Sequence, residues 1–231
     1  AAGLALAGCS EAPQNSTETQ TSAKTSVETG VTQTAEQAYL ALVERYFQDT
    51  LKLEPIYATF VGVNDYNDQF GGSLTEDYLK QRHDPNTSYL KAVKAIDRQA
   101  LPAALQLSYD MFTYDRNVAL TSETFPEHFM PMNQFYSTVI SMVQLGSGES
   151  AQPFNTVEDY NNWLSRLTGF IEWTKLAQIR MDEGIASKVV LPRVLVERII
   201  PQLEAQLVTS PQESLFYAPI NNLPDDFSDA D

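Results

Sequence analysis

The chain has 231 residues, 43% of them hydrophobic and 10% aromatic, which suffices for one globular core or two small ones. Its 30 acidic side chains against 15 basic ones give a formal charge of −15, which repels nucleic-acid phosphates and argues against nucleic-acid binding. A single cysteine excludes an internal disulfide, Cys-rich zinc modules and iron–sulfur clusters, and no apolar run is long enough to span a bilayer.

The stretch Ala1 to Gly8 is apolar and ends at that cysteine. Leu6-Ala7-Gly8-Cys9 resembles a bacterial lipobox: a hydrophobic residue, two small residues that fit the signal peptidase, and a cysteine that takes the lipid. Residues 1–8 are then expected to be the end of a signal peptide whose charged start and methionine are missing, and Cys9 the lipid-attachment residue. Residues 9–34 are dominated by Ser, Thr, Glu and Gln, with Val27 and Val31 the only sizeable apolar side chains. Such a tract buries too little surface to offset the entropy of ordering, which predicts a disordered tether behind the lipid. Ser10 is not the Asp that retains such lipoproteins in the inner membrane of many Gram-negative bacteria. The expected address is the cell envelope, anchored by lipid to the outer membrane and facing the periplasm.

From residue 35 to 231 the pattern predicts one helical domain, all-α, as a multi-helix array or bundle. Thr34 and Gln37 have capping-box spacing, and Tyr39, Val43, Tyr46, Phe47 and Leu51 recur at helical intervals. Pro55 suits a first helical turn and Gly62 a left-handed terminator. Ser73 and Glu76 repeat the capping pattern, and Asp84-Pro85 reads as a break followed by a restart through Leu90, Val93 and Ile96. Pro102 precedes a helix with Leu105, Tyr109, Phe112 and Val118 or Leu120 facing inward. Thr156 and Asp159 open the longest helix, with Trp163, Leu164, Leu167, Phe170, Ile171, Leu176 and Ile179 as its core face and Gly184 as its end. Pro192 opens the last, with Val194, Leu195, Ile199, Leu203 and Leu207 inward and a kink at Pro201. Strand-like alternation is nowhere sustained.

No catalytic constellation appears. His83 and His128 stand far apart, and neither belongs to a His-Glu-x-x-His helix. Asp65, Asn67, Gln69, Ser73 and Glu76 fall at the first, third, fifth, ninth and twelfth places of a calcium loop. The sixth place, where that loop needs glycine, is Phe70, and an Asn/Asp/Gly turn before a capped helix explains the same letters. Gly146-Ser147-Gly148 lacks the spacing of a nucleophile elbow. The segment His128 to Tyr136 concentrates Met and aromatic residues, fitting either a groove lining or core filler. Trp163 and Trp173 are expected in the core.

Four phrases in order carry a family resemblance: "YFQDTLKLEPIYATFVGVNDYND", "PFNTVEDYNNWLSRLTGFIEW", "IRMDEGIASKVVLPRVLVERIIPQL" and "SPQESLFYAPINNLP". Over about Ala35 to Asp231 the chain resembles the bacterial domain-of-unknown-function family 885, many of whose members are lipoproteins. The family is all-helical and grouped with zincin-like metallopeptidases, which implies a zinc-activated water, a Glu as general base and a peptide substrate for the full-length protein. The family's His-Glu-x-x-Pro-Gly-His-like stretch and its later Glu-Gly-Trp-like helix have no counterpart here. No catalytic residue is therefore carried over, and no cofactor is expected in this chain. It is expected to be the N-terminal portion of such a protein, inactive by itself as a peptidase. The alternative is a non-catalytic envelope lipoprotein that binds a peptide or protein partner through its helical surface. A calcium-stabilised module using the loop at Asp65 is a third reading.

Overall fold

In the computed structural model, Thr34 starts the first helix as the sequence predicts: its hydroxyl accepts from the Gln37 amide at 3.2 Å while the Gln37 side chain accepts from the Thr34 amide. The structure describes residues 33–72, 74–225, 227 and 228. The expected signal peptide at 1–8, Cys9, nearly all of the 9–34 tether and Ser73 lie outside the described residues. The fold is all-α. Among the described residues eight α-helices and four short 3-10 turns follow one another, and no strand forms beyond an isolated bridge between Met132 and Ser137.

Helix α1 (Ala35–Leu53), α3 (Glu76–Lys94) and α4 (Ala103–Ser122) pack side by side around Tyr39, Leu42, Tyr89, Val93 and Leu101. A second core gathers on the 31-residue helix α6 (Val157–Ser187), where Trp163, Phe170, Trp173 and Ala177 meet Phe70, Leu74, Met142 and Leu145. The short α2 (Pro55–Phe60) and the turn after it run between the two, with Pro55 at the first helical position and Gly62 in the left-handed region at φ 82°. Helix α5 (Thr138–Leu145), α7 (Arg193–Glu204) and α8 (Ala218–Asn221) complete residues 33–231, which form one unit. Among the described residues no helix is long and apolar enough to cross a membrane.

Four expectations need correction. The cap of α3 is Thr75, not Ser73: its hydroxyl accepts from the Tyr78 amide at 3.0 Å. Asp84-Pro85 does not break the chain, because α3 runs through it. Pro85 leaves the Gln81 carbonyl without its helical amide, but Tyr78 on one side and Tyr89 and Val93 on the other are buried and hold both halves in line. Gly184 does not end α6. The helix continues to Ser187 and closes at Lys188 in the left-handed region, φ 61°. Gly184 is instead a close approach: a Cβ there would stand 2.7 Å from the Val189 carbonyl oxygen and 3.0 Å from the Phe129 Cβ.

The fourth concerns the inward faces. Leu164, Ile171 and Ile179 are exposed, while the buried row of α6 is Trp163, Arg166, Phe170, Trp173, Ala177, Arg180 and Gly184. That row alternates steps of three and four, as a helix seam should, but two of its members are arginines. Of the expected face, Trp163 and Phe170 lie in this row and Leu167 and Leu176 pack beside it, so apolar periodicity locates part of the seam and misses its arginines. Val118, Val194 and Leu207 are exposed as well.

Candidate functional site

Helical spacing assembles a cavity of about 220 Å³ that several charged side chains line. Tyr46, Asp49, Thr50 and Leu53 reach it from the last turns of α1, Arg82, Pro85 and Asn86 from the middle of α3, and Arg116, Ala119 and Ser122 from α4. Glu54, between α1 and α2, and Glu127, in the turn after α4, complete the wall.

Arg116 lies across this cavity. Its guanidinium stacks 4.2 Å from the centre of the Tyr46 ring and 5.6 Å from that of Phe112, an arrangement that holds a cation flat on an aromatic face. One terminal nitrogen donates to Asn86 Oδ1 at 2.6 Å, whereas the buried Nε has no hydrogen-bond partner. Asn86 passes the connection on: its Nδ2 donates to Glu123 Oε1 at 2.7 Å, and Glu123 Oε2 accepts from His83 Nδ1 at 2.6 Å. Glu54 accepts from the Tyr78 hydroxyl. Burial pushes its carboxyl up to about 7, against the opposing pull of the Arg82 charge. At the rim the Tyr89 hydroxyl donates to Asp49 Oδ2 at 2.6 Å, and burial with that carboxylate pushes the phenol up to about 12.

The cavity does not stand alone. Arg82 and Glu127 also line a second cavity of about 440 Å³, with Leu74, His83, Glu123, His128 and Trp173. Met130 and Pro131 line both the second and a third, of about 460 Å³, whose other walls are apolar apart from Arg193: Phe129, Met132, Met181, Ile185, Val190 and Val196 among them. The three share walls in sequence, running from a charged end at Arg116 to an apolar end beside Ile185. The first half of the His128–Tyr136 segment thus lines cavities. In its later half Gln134 and Phe135 border a further open cavity of about 470 Å³, and Phe135 and Tyr136 are exposed.

The calcium-loop letters are used for another cation. Arg166, on α6 and 0% exposed, donates to the carbonyls of Gln69 and Tyr66 at 2.8 Å each, to the Thr59 hydroxyl at 2.9 Å and to Gln152 Oε1 at 2.6 Å. The loop folds around a guanidinium held by neutral oxygens only. Burial lowers its pKa to about 10, with Asp68 opposing, so it stays charged near neutrality. Asn67 is buried and spends its side chain locally: Oδ1 accepts from Thr59 at 2.7 Å and Nδ2 donates to Asn64 at 3.0 Å. Asp65 is exposed, and Glu76 pairs with Arg180 at 2.6 Å. Asn67, Gln69 and Glu76 thus engage separate partners.

His83 and His128 do converge on the second cavity, which spacing alone did not reveal. They do not fit a zinc ion. Glu123 already engages His83, His128 lies against the Phe129 ring at 4.3 Å, and among the described residues no group of three or more His, Cys, Asp and Glu side chains is placed to hold a metal.

Compared with known protein families, residues 55–231 match the family described as "Bacterial protein of unknown function (DUF885)". The chain belongs to DUF885. The match opens at Pro55, the first residue of α2, so helix α1, which the resemblance had included, stands ahead of it. No curated protein and no solved structure matches the chain. Within this DUF885 protein the cavity-lining residues of α3, α4 and the 127–132 turn all fall inside the matched region, as does Arg166. Arg116, Asn86 and Glu54 escaped the sequence reading because each gains its meaning from partners on other helices. Their one local signal was Arg82, Pro85 and Asn86 recurring at helical spacing on one side of α3.

Proposed function

We propose that this chain is the ligand-holding helical segment of a cell-envelope lipoprotein hydrolase of the zinc-metallopeptidase kind, with the ligand a peptide. Zinc in that protein would be held by residues other than those described, since no set of them fits it. The observation that carries the reading is the row of three cavities that share walls, charged at one end and apolar at the other. An extended peptide suits such a row: a carboxylate meets Arg82 and Arg116, the backbone runs past His83 and His128, and an apolar side chain enters the space beside Ile185. In the proposed anchorage Cys9 carries a diacylglyceryl group, and the protein works from the outer membrane toward the periplasm.

Calorimetric titration of the purified chain with peptides that carry a free carboxyl-terminus and a penultimate large apolar residue tests the binding. Amidating the terminus or replacing Arg116 with Gln is expected to weaken binding by about tenfold, the value of one charge-assisted contact. Equal affinity for the free and amidated peptides would overturn the peptide assignment. Chelator-sensitive cleavage by this chain alone would overturn the placement of the metal elsewhere. Mass spectrometry of membrane fractions reads the anchor directly, and an unmodified Cys9 in the soluble fraction refutes it.

A further inference from the structure

Helix α4 is apolar on two opposite sides. One row, Leu105, Tyr109 and Phe112, packs against the α1–α3 core, and Arg116 continues it onto Tyr46. The other row is Leu107, Met111, Tyr114 and Val118, at 66%, 57%, 68% and 43% exposure. Steps of four, three and four residues make this outer row a short apolar stripe, with the spacing of a helix–helix seam, on the face turned away from the core. A solvated helix face has no use for that repeat. A second helix lying alongside does, because its side chains seat between residues spaced by three and four.

Charge selects the partner. The positions flanking the outer row carry Asp110 and Asp115, and the helix's one basic side chain, Arg116, is turned inward. Arg98, beside Asp110, is already held by both of that carboxylate's oxygens at 2.7 Å. With Asp110 offset by Arg98, Asp115 carries the flanking charge, and a second copy would bring it against an acidic surface in a chain of charge −15. We propose that the outer face of α4 docks an amphipathic helix of another polypeptide segment, one with apolar a and d positions and lysine or arginine at its flanks. This surface is separate from the three cavities and goes beyond the peptide-binding reading.

The probes are two synthetic helical peptides with leucine at a and d, one with lysine and one with glutamate at e and g, followed by fluorescence anisotropy with the purified chain. The lysine peptide is expected to bind about tenfold tighter than the glutamate one, the discrimination that flanking charges supply. Met111→Glu combined with Tyr114→Ser should abolish binding and leave the thermal midpoint unchanged, because both side chains face solvent. Asp115→Lys should reduce the preference for the lysine peptide, and it serves where the double variant fails to fold. Equal affinity for the two peptides, no binding of either, or binding indifferent to these substitutions overturns the proposal. So does a sedimentation dimer that Met111→Glu dissolves in the absence of peptide, which would make the occupant a second copy.

Discussion

Two titratable side chains, the half-buried Glu54 and the buried Arg166, set the behaviour of this molecule at the residue scale. Glu54 has its folded-state pKa raised from 4.5 to about 7, so the native state holds a proton that the unfolded chain gives up. Stability from this group is full below pH 4.5 and falls as pH rises toward 7, by roughly 3 kcal/mol at most and less where solvent reaches the carboxyl. Glu54→Gln, which keeps an oxygen to accept from Tyr78, is expected to flatten that limb, so that urea midpoints at pH 5 and pH 8 draw together. Arg166 is the opposite case, a charge whose every acceptor is neutral. Arg166→Met would strand the carbonyls of Tyr66 and Gln69 and the side chain of Gln152, at a cost of about 3–5 kcal/mol in chemical denaturation. Arg166→Lys should lose less, since an ammonium keeps the charge but cannot span the fork of acceptors.

Among the elements, α3 carries the least expected feature, a proline ten residues into a nineteen-residue helix. Pro85→Ala restores the amide that the Gln81 carbonyl lacks, and a rise in thermal midpoint equivalent to about 1–3 kcal/mol is the expected outcome. At the start of α6, Thr156 and Asp159 cap each other's backbone, with Asp159 N donating to the Thr156 hydroxyl at 3.2 Å. Thr156→Ala should cost about 1 kcal/mol in the same measurement. These ends were legible in the sequence because capping is local: Thr34, Pro55, Gly62 and Thr156 all do what their letters promise. The face of α6 was legible only in part: Trp163, Phe170 and Trp173 lie inward as expected, whereas its two arginines gave no sign of burial. Burying Arg166 and Arg180 depends on oxygens supplied from residues about a hundred positions away, and hydropathy assigns such side chains to solvent. The candidate cavity was hidden for the same reason, since Arg116, Asn86 and Glu123 acquire their roles only once α3 and α4 lie together.

For the whole molecule, the junctions between elements are where a single added methyl matters. Gly184 lets the end of α6 pass under Val189 and Phe129, next to the apolar end of the cavity row. Gly184→Ala gains helix propensity of about 1 kcal/mol but forces a backbone oxygen aside, for a net loss of about 1–2 kcal/mol in calorimetric unfolding. The two cores are tied by the segment from Pro55 to Leu74, which contributes Phe70 and Leu74 to one while α2 adjoins α1 of the other. That tie passes through Arg166. One side chain receives its ligands from Thr59, Tyr66, Gln69 and Gln152, four points on two connecting stretches that the backbone alone leaves independent. Amide protons along both stretches should therefore exchange with deuterium at a common, slow rate, because neither stretch opens until the guanidinium releases all of its oxygens together.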